Sequence, residues 1–150
     1  MNASLFSVRH ARAHDASALV ALEQLCVQES ESFRGSTHLL SAVPTVGQEL
    51  EIFQADPHHT VLVIESSGEI FGFAQMEISD SVAMVRRVYV SVKARDLGAG
   101  ATLIDELRAY ARLQGCTRID AYALPGDRLT KNLFERAGMK ARLLIASSDL

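Results

Sequence analysis

The chain's fold is decided by one loop, Arg95-Asp96-Leu97-Gly98-Ala99-Gly100-Ala101. The loop follows an apolar run at 83–92, typical of a strand covered on both faces, and leads into a helical pattern that ends at Gly115. Such a loop can hold phosphate, because the first N–H groups of a helix have no partner within the helix. Gly98 and Gly100 let the main chain approach the phosphate without an intervening Cβ atom, although a glycine pair can also simply relieve a tight turn.

The N-terminal third of the chain predicts one strand and two helices. Residues 5–11 form the strand, and Asp15 is expected to cap the first helix. The apolar stripe of that helix comprises Leu19, Leu22, Leu25 and Cys26. Residues 28–43 have weak periodicity and are interpreted as a loop. Thr45 and Gln48 then form a capping box for a second helix, whose apolar residues are Val46, Leu50 and Phe53.

The rest of the chain predicts three strands in succession and then an alternation of helices and strands. The order is strands at 60–65, 69–78 and 83–92, a helix from Gly100 to Gly115, a strand at 117–124, a helix capped by Asp127, and a last strand at 140–147. Three successive strands exclude the strict alternation of a doubly wound nucleotide-binding fold. A chain of 150 residues needs only one core, so residues 1–150 are predicted to form a single domain.

Composition and charge exclude several classes of partner. A formal net charge of -3 and a pI near 5.9 give no electrostatic reason to expect nucleic acid or an anionic membrane. No window approaches the ~20 apolar residues of a membrane-spanning helix. The short apolar stretch before Arg9 lacks the central region of a signal peptide, so a cytoplasmic protein is expected. Cys26, Cys116 and the five histidines show no metal-ligand spacing, and no metal is expected.

Taken together, these motifs resemble those of the GNAT superfamily of N-acetyltransferases. The resemblance is carried by Val88-Tyr89-Val90, by Arg95-x-x-Gly98-x-Gly100, by the following helix and strand, and by a capped helix that ends Phe134-Glu135-Arg136-Ala137-Gly138-Met139. The opening Val8-Arg9-His10-Ala11, followed by Asp15, is similar as well. The resemblance implies an α/β fold with a mixed central sheet of about six to seven strands and about four helices. It also implies that the sheet is splayed between the strands at 83–92 and 117–124.

The resemblance implies acetyl-CoA as cosubstrate and assigns residues to it. The pantetheine arm is expected in the gap between the splayed strands, bonded by backbone groups of Val88, Tyr89 and Val90. The pyrophosphate is expected on the N–H groups of Asp96, Leu97, Gly98, Ala99, Gly100 and Ala101, while Arg95 either supports the loop or reaches the phosphate. Asp96, Leu97 and Ala99 depart from the family pattern, which has glycine or basic residues here, so backbone donors are expected to carry most of the binding.

Acyl transfer to an amine needs an unprotonated amine, a stabilised oxyanion and a protonated leaving thiolate. The family pattern assigns the oxyanion to the Val90 N–H. The strand at 83–92 has no Asp or Glu, so the base candidates lie elsewhere: Glu77, Asp80 and Asp120. A water chain or an amine of low pKa is the alternative. Phe134 stands where relatives commonly carry the acid tyrosine, which leaves Tyr122 as the first candidate, ahead of Tyr89 and Tyr110.

Arg86 and Arg87 have opposite parity on an otherwise apolar strand, so at least one is expected to face a covered side or the gap. It then needs an anionic partner, which is either an internal carboxylate such as Glu77 or an anionic group of the acceptor. A small-molecule primary amine is the expected acceptor. A protein N-terminus or lysine in a groove lined by 28–43 and 66–68 is an alternative, as is an acyl-CoA-binding module with little turnover. A homodimer is compatible with each of these functions.

Overall fold

The computed structural model describes residues 4–42 and 45–150, which form one sheet with helices on both faces. The five strands lie in chain order: β1 (Ser7–His10), β2 (His59–Ser66), β3 (Glu69–Ser79), β4 (Val82–Val90) and β5 (Arg118–Ala121). Strands β1 to β4 pair antiparallel, whereas β5 runs parallel to β4. The predicted mixed α/β sheet is therefore confirmed. Its described part has five strands, fewer than expected.

In the described part of the chain, five α-helices flank the sheet: α1 (Ala16–Ser30), α2 (Ser36–Ala42), α3 (Leu50–Ala55), α4 (Ala99–Leu113) and α5 (Arg128–Arg136). Short 3-10 helices precede α1 at Ala13–Asp15 and α4 at Val92–Leu97. Alternate residues of β2 contribute to two separate cores. Leu62 and Ile64 pack with α4 and α5, while Val61 and Val63 pack with α1 and α3. The sheet thus has one α4 face and one α1 face, both apolar.

The hairpin between β2 and β3 is confirmed in detail. Ser67 and Gly68 both have positive φ, at 52° and 82°, as the two central residues of a type I′ turn require. The Asp127 cap is also confirmed, because its Oδ1 accepts a hydrogen bond from the Thr130 N–H at 3.1 Å. The hairpin turn and the Asp127 cap could be predicted from the sequence because each depends on residues close together in the chain.

Four expectations for the N-terminal third were wrong. Asp15 precedes α1, but its carboxylate turns back to accept from the Arg12 N–H at 2.7 Å and from Arg9, so it caps no N–H of α1. Leu25 is exposed, because only one side of α1 meets the sheet. Residues 28–43 were interpreted as a loop, yet they contain the end of α1 and the whole of α2. The predicted second helix begins only at Leu50, after a turn that starts at Thr45.

The last predicted strand, at 140–147, does not form: residues 139–150 have no regular secondary structure. The apolar side chains of Leu143, Leu144 and Ile145 remain 83%, 84% and 73% exposed. An apolar run has the propensity of a strand, but a strand exists only where a neighbouring edge accepts its hydrogen bonds. In the described part of this chain no edge does so.

Candidate active site

Strand β5 pairs along its whole length with the N-terminal part of β4, and beyond this pairing the two chain segments diverge as a fork. The register runs from Val82 opposite Arg118 to Val85 opposite Ala121. One longer hydrogen bond follows, from the Tyr122 N–H to the Val85 carbonyl at 3.4 Å. Beyond it the remaining residues of β4 have no strand partner on this side among the described residues. The fork lies where the splay between 83–92 and 117–124 was predicted.

A β-bulge at Arg86 marks the base of the fork. Gln75 of β3 lies opposite Arg87 and the next residue, Met76, lies opposite Val85, so Arg86 is an extra residue in β4. The bulge shifts the parity of the strand. Arg86 and Arg87 therefore need not lie on opposite faces of the sheet. The sequence analysis assumed that they do, from their adjacent positions on one strand, and that assumption does not hold here.

The bulge also decides which backbone groups face the fork. The Ser91 N–H donates to the Phe71 carbonyl of β3 at 2.7 Å, so the backbone of this residue faces β3. Because facing alternates along a strand, Tyr89 also faces β3, whereas the N–H and C=O groups of Val88 and Val90 point into the fork. Val88, Tyr89 and Val90, the three residues expected to bond the coenzyme, thus differ in the direction of their backbone groups. Two present backbone groups to the fork and Tyr89 does not.

Arg95 supports the strand end. Its Nε donates to the Val90 carbonyl at 2.8 Å, and its Nη2 bonds Glu29 Oε2 at 2.5 Å. The guanidinium also lies over the Tyr89 ring, 5.5 Å from the ring centre. Burial, together with the nearby Glu29 carboxylate, raises the pKa of Tyr89 to about 12. These contacts attach the Arg95 side chain to the end of β4 and to α1, and they leave the Val90 N–H as the group that is open to the fork.

The loop after β4 ends at an uncapped helix N-terminus. No side chain caps α4, and the first bond back along the chain runs from the Thr102 N–H to the Gly98 carbonyl at 3.1 Å. The N–H groups of Ala99, Gly100 and Ala101 precede that bond and open the helix. Such donors, at the positive end of a helix dipole, suit a pyrophosphate. Residues Asp96 and Leu97 of the same loop are exposed.

The two glycines of the loop have different roles. Gly98 has φ of 83°, in the left-handed region, and a Cβ there would meet nothing within 4 Å. Gly98 is therefore required by backbone conformation. A Cβ on Gly100 would lie 3.0 Å from Leu133 Cδ1 of α5. Gly100 accordingly permits close packing of α4 on α5, and its missing side chain does not point at the fork.

On the α1 face, Arg86 joins two of the predicted catalytic candidates. Glu77 Oε2 accepts from Arg86 Nε at 3.0 Å and lies 2.8 Å from its Nη2. Arg86 Nη1 donates to the Tyr122 hydroxyl at 3.2 Å. His59 was interpreted as a surface residue, but its Nε2 lies 3.9 Å from Glu77 Oε2 while Asp56 holds its Nδ1 at 2.8 Å. These side chains form a polar chain that ends at the base of the fork, with its widest step between His59 and Glu77.

The Arg87 side chain is almost covered and pairs with Glu23 of α1. Its Nη1 donates to Glu23 Oε2 at 2.9 Å, and both side chains are 8% exposed. The Glu23 carboxylate also accepts from the N–H groups of Val46 and Gly47, so it ties α1, the turn at 45–48 and β4 together. Sequence reasoning missed Glu23. The signal was available, because Glu23 lies one helical turn after Leu19 on the buried stripe of α1.

The other candidate acids and bases lie away from the fork or in the core. Asp80 occupies the turn between β3 and β4, at the end remote from the fork. Asp120 bonds Arg118 at 3.2 Å on the sheet surface. Tyr110 packs against His10 with ring centres 5.1 Å apart, and Phe134 is buried in the core on the α4 face.

The segment after α1 crosses toward the loop that follows β5. A Cβ on Gly126 would lie 3.8 Å from Phe33, and a Cβ on Gly35 would lie 3.7 Å from Leu124. Residues 33–35 therefore contact the loop that follows β5. This contact brings part of the segment 28–43, which one alternative reading of the sequence placed in an acceptor groove, to one wall of the fork.

Two further properties hold for residues 4–42 and 45–150. Within these ranges no group of three or more His, Cys, Asp or Glu side chains could hold a metal ion. Among the described helices, none is both long and apolar enough to cross a membrane.

The sequence of this chain is similar to that of known acetyltransferases. The model of the acetyltransferase (GNAT) family matches residues 16–139. An uncharacterized N-acetyltransferase, YhfO of Bacillus subtilis (strain 168), is 27% identical over 138 residues, which is 88% of each chain.

Solved structures share the fold at low sequence identity. An aminoglycoside acetyltransferase, meta-AAC0020 from an uncultured soil metagenomic sample, superposes with a TM-score of 0.72 at 15% identity and covers 97% of both chains. The enzyme AAC(6')-Iy, in complex with a bisubstrate analog of coenzyme A and acetylneamine, superposes with a TM-score of 0.69 at 19% identity, covering 97% of this chain and 99% of that one.

Proposed function

We propose a substrate class and a site for this chain, which belongs to the acetyltransferase (GNAT) family and is an N-acetyltransferase. The chain transfers an acetyl group from acetyl-CoA to the primary amine of a small molecule. The observation that carries the proposal is the fork, where the unpaired edge of β4 meets the uncapped N-terminus of α4. A ligand with an amide-containing arm and a pyrophosphate satisfies both sets of groups at once.

The residues that hold acetyl-CoA follow from these groups. The N–H groups of Ala99, Gly100 and Ala101 bind the pyrophosphate, and exposed residues 96–98 line its approach. Backbone groups of Val88 bond the pantetheine arm in the manner of an added strand. Acetyl-CoA supplies the acetyl group as a thioester. Val90 donates its N–H to the thioester oxygen, while Arg95 holds the Val90 carbonyl and so fixes the direction of that donor.

We assign proton transfer to the polar chain on the α1 face. Glu77 takes up the proton of the acceptor ammonium, directly or through water, and Tyr122 lies on the β5 wall where it can protonate the leaving thiolate. Arg86 holds both groups and remains 35% exposed, so it is also the residue that can reach an anionic group of the acceptor. Arg87 was a second candidate for that role, but Glu23 already neutralises it in a buried pair.

One contact favours a small acceptor over a protein chain. Residues 33–35 pack against Leu124 and Gly126, which covers part of the acceptor side of the fork. An extended peptide needs an open groove on this side, whereas a compact amine does not. The free thiols of Cys26 and Cys116 suit the reducing cytoplasm, where we place the protein.

A thiol-release assay tests the proposal. The purified chain is given acetyl-CoA with a panel of small amines, amino acids and lysine-containing peptides, and free coenzyme A is measured. We expect acceptor-dependent release with one or more small amines and little release with peptides. Release with peptides alone would assign the site to protein acetylation.

A further inference from the structure

The last peptide group of β4 is bonded on both of its sides. The Ser91 N–H donates to the Phe71 carbonyl of β3 at 2.7 Å, and the Val90 carbonyl accepts from Arg95 Nε at 2.8 Å. The donor and the acceptor belong to one planar peptide unit, so these two bonds fix its orientation. The Val90 N–H lies on the preceding peptide unit, which is joined to this one through a single Cα atom. A side chain that holds the Val90 carbonyl therefore also limits where the Val90 N–H points.

Arg95 is itself held by a residue of α1. Its Nη2 bonds Glu29 Oε2 at 2.5 Å, and Glu29 lies in the last turn of that helix. Because a guanidinium is planar, a carboxylate that holds Nη2 also sets the direction in which Nε donates. The Tyr89 ring lies against the guanidinium, 5.5 Å from ring centre to Cζ, but a ring face does not fix rotation within that plane. Without Glu29, an arginine side chain populates many rotamers.

The ion pair of Glu29 with Arg95 lies near the surface. The two side chains are 36% and 25% exposed, whereas both members of the pair of Glu23 with Arg87 are 8% exposed. Ion pairs in contact with water contribute little to the free energy of unfolding, because water screens the charges and both side chains lose entropy. The main consequence of the Glu29 pair is therefore the direction that it gives to Arg95.

The backbone that carries Glu29 is fixed on both sides of this residue. Before it, the Cys26 carbonyl accepts from Ser30 Oγ at 2.7 Å, and after it the Phe33 N–H donates to the Ser30 carbonyl at 2.9 Å. Phe33 in turn contacts the loop after β5, since a Cβ on Gly126 would lie 3.8 Å from its ring. The carboxylate of Glu29 thus reaches Arg95 from a backbone that is attached to the other wall of the fork.

We propose that Glu29 is a positioning residue for acetyl transfer, which directs the Val90 N–H at the thioester oxygen by holding Arg95 on the Val90 carbonyl. The inference rests on the proposed function, in which this N–H stabilises the oxyanion. Glu29 acts through Arg95 and contacts neither the coenzyme nor the acceptor. Its loss lets Arg95 leave the carbonyl, so the N–H is less well directed in the transition state while both substrates bind as before.

Single-turnover transfer of acetyl from acetyl-CoA to an amine that is active in the thiol-release assay tests the proposal. Glu29→Ala should slow this step about tenfold, which is part of the about hundredfold or greater effect of losing an oxyanion donor. The Kd for acetyl-CoA, the KM for the amine and the thermal midpoint should stay near their wild-type values. Glu29→Gln keeps an oxygen toward Arg95 Nη2, so it should retain more of the rate than Glu29→Ala.

A matched control and a double variant separate positioning from a general effect of charge. Glu69→Ala removes another exposed ion pair of the same region, since Glu69 Oε1 lies 3.8 Å from Lys93 Nζ, two residues before Arg95. It should leave the single-turnover rate unchanged. Arg95→Met should slow the step at least as much as Glu29→Ala, and the double variant should be no slower than Arg95→Met, because Glu29 acts through Arg95.

A nuclear magnetic resonance measurement detects the contact without any turnover. The Arg95 Nε–H signal is identified by its absence in Arg95→Met. It should exchange slowly with solvent in wild type and in Glu69→Ala, and rapidly in Glu29→Ala, because the bond to the Val90 carbonyl is then no longer maintained.

Three kinetic results would overturn the proposal. They are a wild-type single-turnover rate in Glu29→Ala, a double variant in which the two losses multiply, and a loss that appears only in the KM for the amine, which would place Glu29 in the acceptor site. A wild-type chain that transfers acetyl to no amine would instead refute the proposed function. In that case, equal exchange of the Arg95 Nε–H in wild type and Glu29→Ala would still show that Glu29 does not position Arg95.

Discussion

The guanidinium of Arg86 reaches across the base of the fork and donates to the Tyr122 hydroxyl at 3.2 Å. The same side chain bonds Glu77 through two nitrogens. One bulged residue on β4 therefore connects a carboxylate on β3 to a phenol beyond β5, at the point where the two parallel strands separate. This arrangement needs the planar, multi-donor geometry of arginine, because lysine offers a single nitrogen.

Arg86→Lys is expected to lower kcat/KM about tenfold, since it keeps the charge but loses the simultaneous bonds to Glu77 and Tyr122. For an acceptor with an anionic group, the KM should rise more than kcat falls. Arg87→Lys is the matched comparison on the next residue, and its effect should appear in stability and leave acceptor KM nearly unchanged. Steady-state kinetics with unchanged acceptor KM in Arg86→Lys would remove this residue from acceptor binding.

The two loop glycines should respond differently to substitution. Gly98→Ala forces a Cβ into the left-handed region at a cost of about 1 to 2 kcal/mol. The loop can relieve that strain by shifting, so the KM for acetyl-CoA should rise at least several-fold. Gly100→Val meets Leu133 of α5 at close range and should destabilise the fold by about 1 to 3 kcal/mol.

Thermal unfolding and acetyl-CoA titration together separate these two effects. Weaker coenzyme binding, with a stability loss no larger than the strain at position 98, is expected for Gly98→Ala, and lower stability with normal coenzyme affinity for Gly100→Val. A folded Gly100→Val protein of normal stability that fails to bind acetyl-CoA would show that a side chain at position 100 faces the coenzyme, against the packing on Leu133 described above.

Glu23→Ala should be among the most destabilising single changes in the chain. It leaves Arg87 buried without its partner and removes the acceptor for two backbone N–H groups, Val46 and Gly47. Loss of one member of a buried ion pair typically costs about 3 to 5 kcal/mol. Urea unfolding of Glu23→Ala, Arg87→Met and the double variant measures the coupling. Additive losses would mean that the two residues do not stabilise each other.

A feature of this site could be predicted from the sequence where it depends on contacts between residues close together in the chain. The loop at 95–101 and the Asp127 cap involve adjacent residues, and their patterns are specific. The bulge at Arg86 is decided by the register of β3 against β4, which no short segment encodes. The run at 140–147 failed for the same reason. Its local pattern is that of a strand, but no neighbouring strand pairs with it in the described part of the chain.

The pH dependence of stability should reflect Asp15. Bonds from Arg9 and the Arg12 N–H hold the pKa of the Asp15 carboxyl below its ordinary value of 3.8. A carboxyl whose folded pKa is lowered contributes stability that is complete above the unfolded value and is lost as pH falls through the folded value. Asp15→Asn should therefore be less stable at neutral pH and should lose less stability on acidification. Urea midpoints measured from neutral to acid pH with the same slope in both proteins would contradict this.

A swap between two aromatic positions tests where the general acid lies. Tyr122→Phe should lower kcat about a hundredfold or more if the hydroxyl protonates the leaving thiolate. Phe134 occupies the position where relatives commonly carry that tyrosine, but here its ring is buried in the core on the α4 face, whereas Tyr122 bonds Arg86 on the α1 face. Phe134→Tyr should leave kcat near wild type and cost some stability for the buried hydroxyl. The double variant should remain as slow as Tyr122→Phe. Recovery of kcat in the double variant would show that a hydroxyl at 134 reaches the thiolate and would move the acid from β5 to α5.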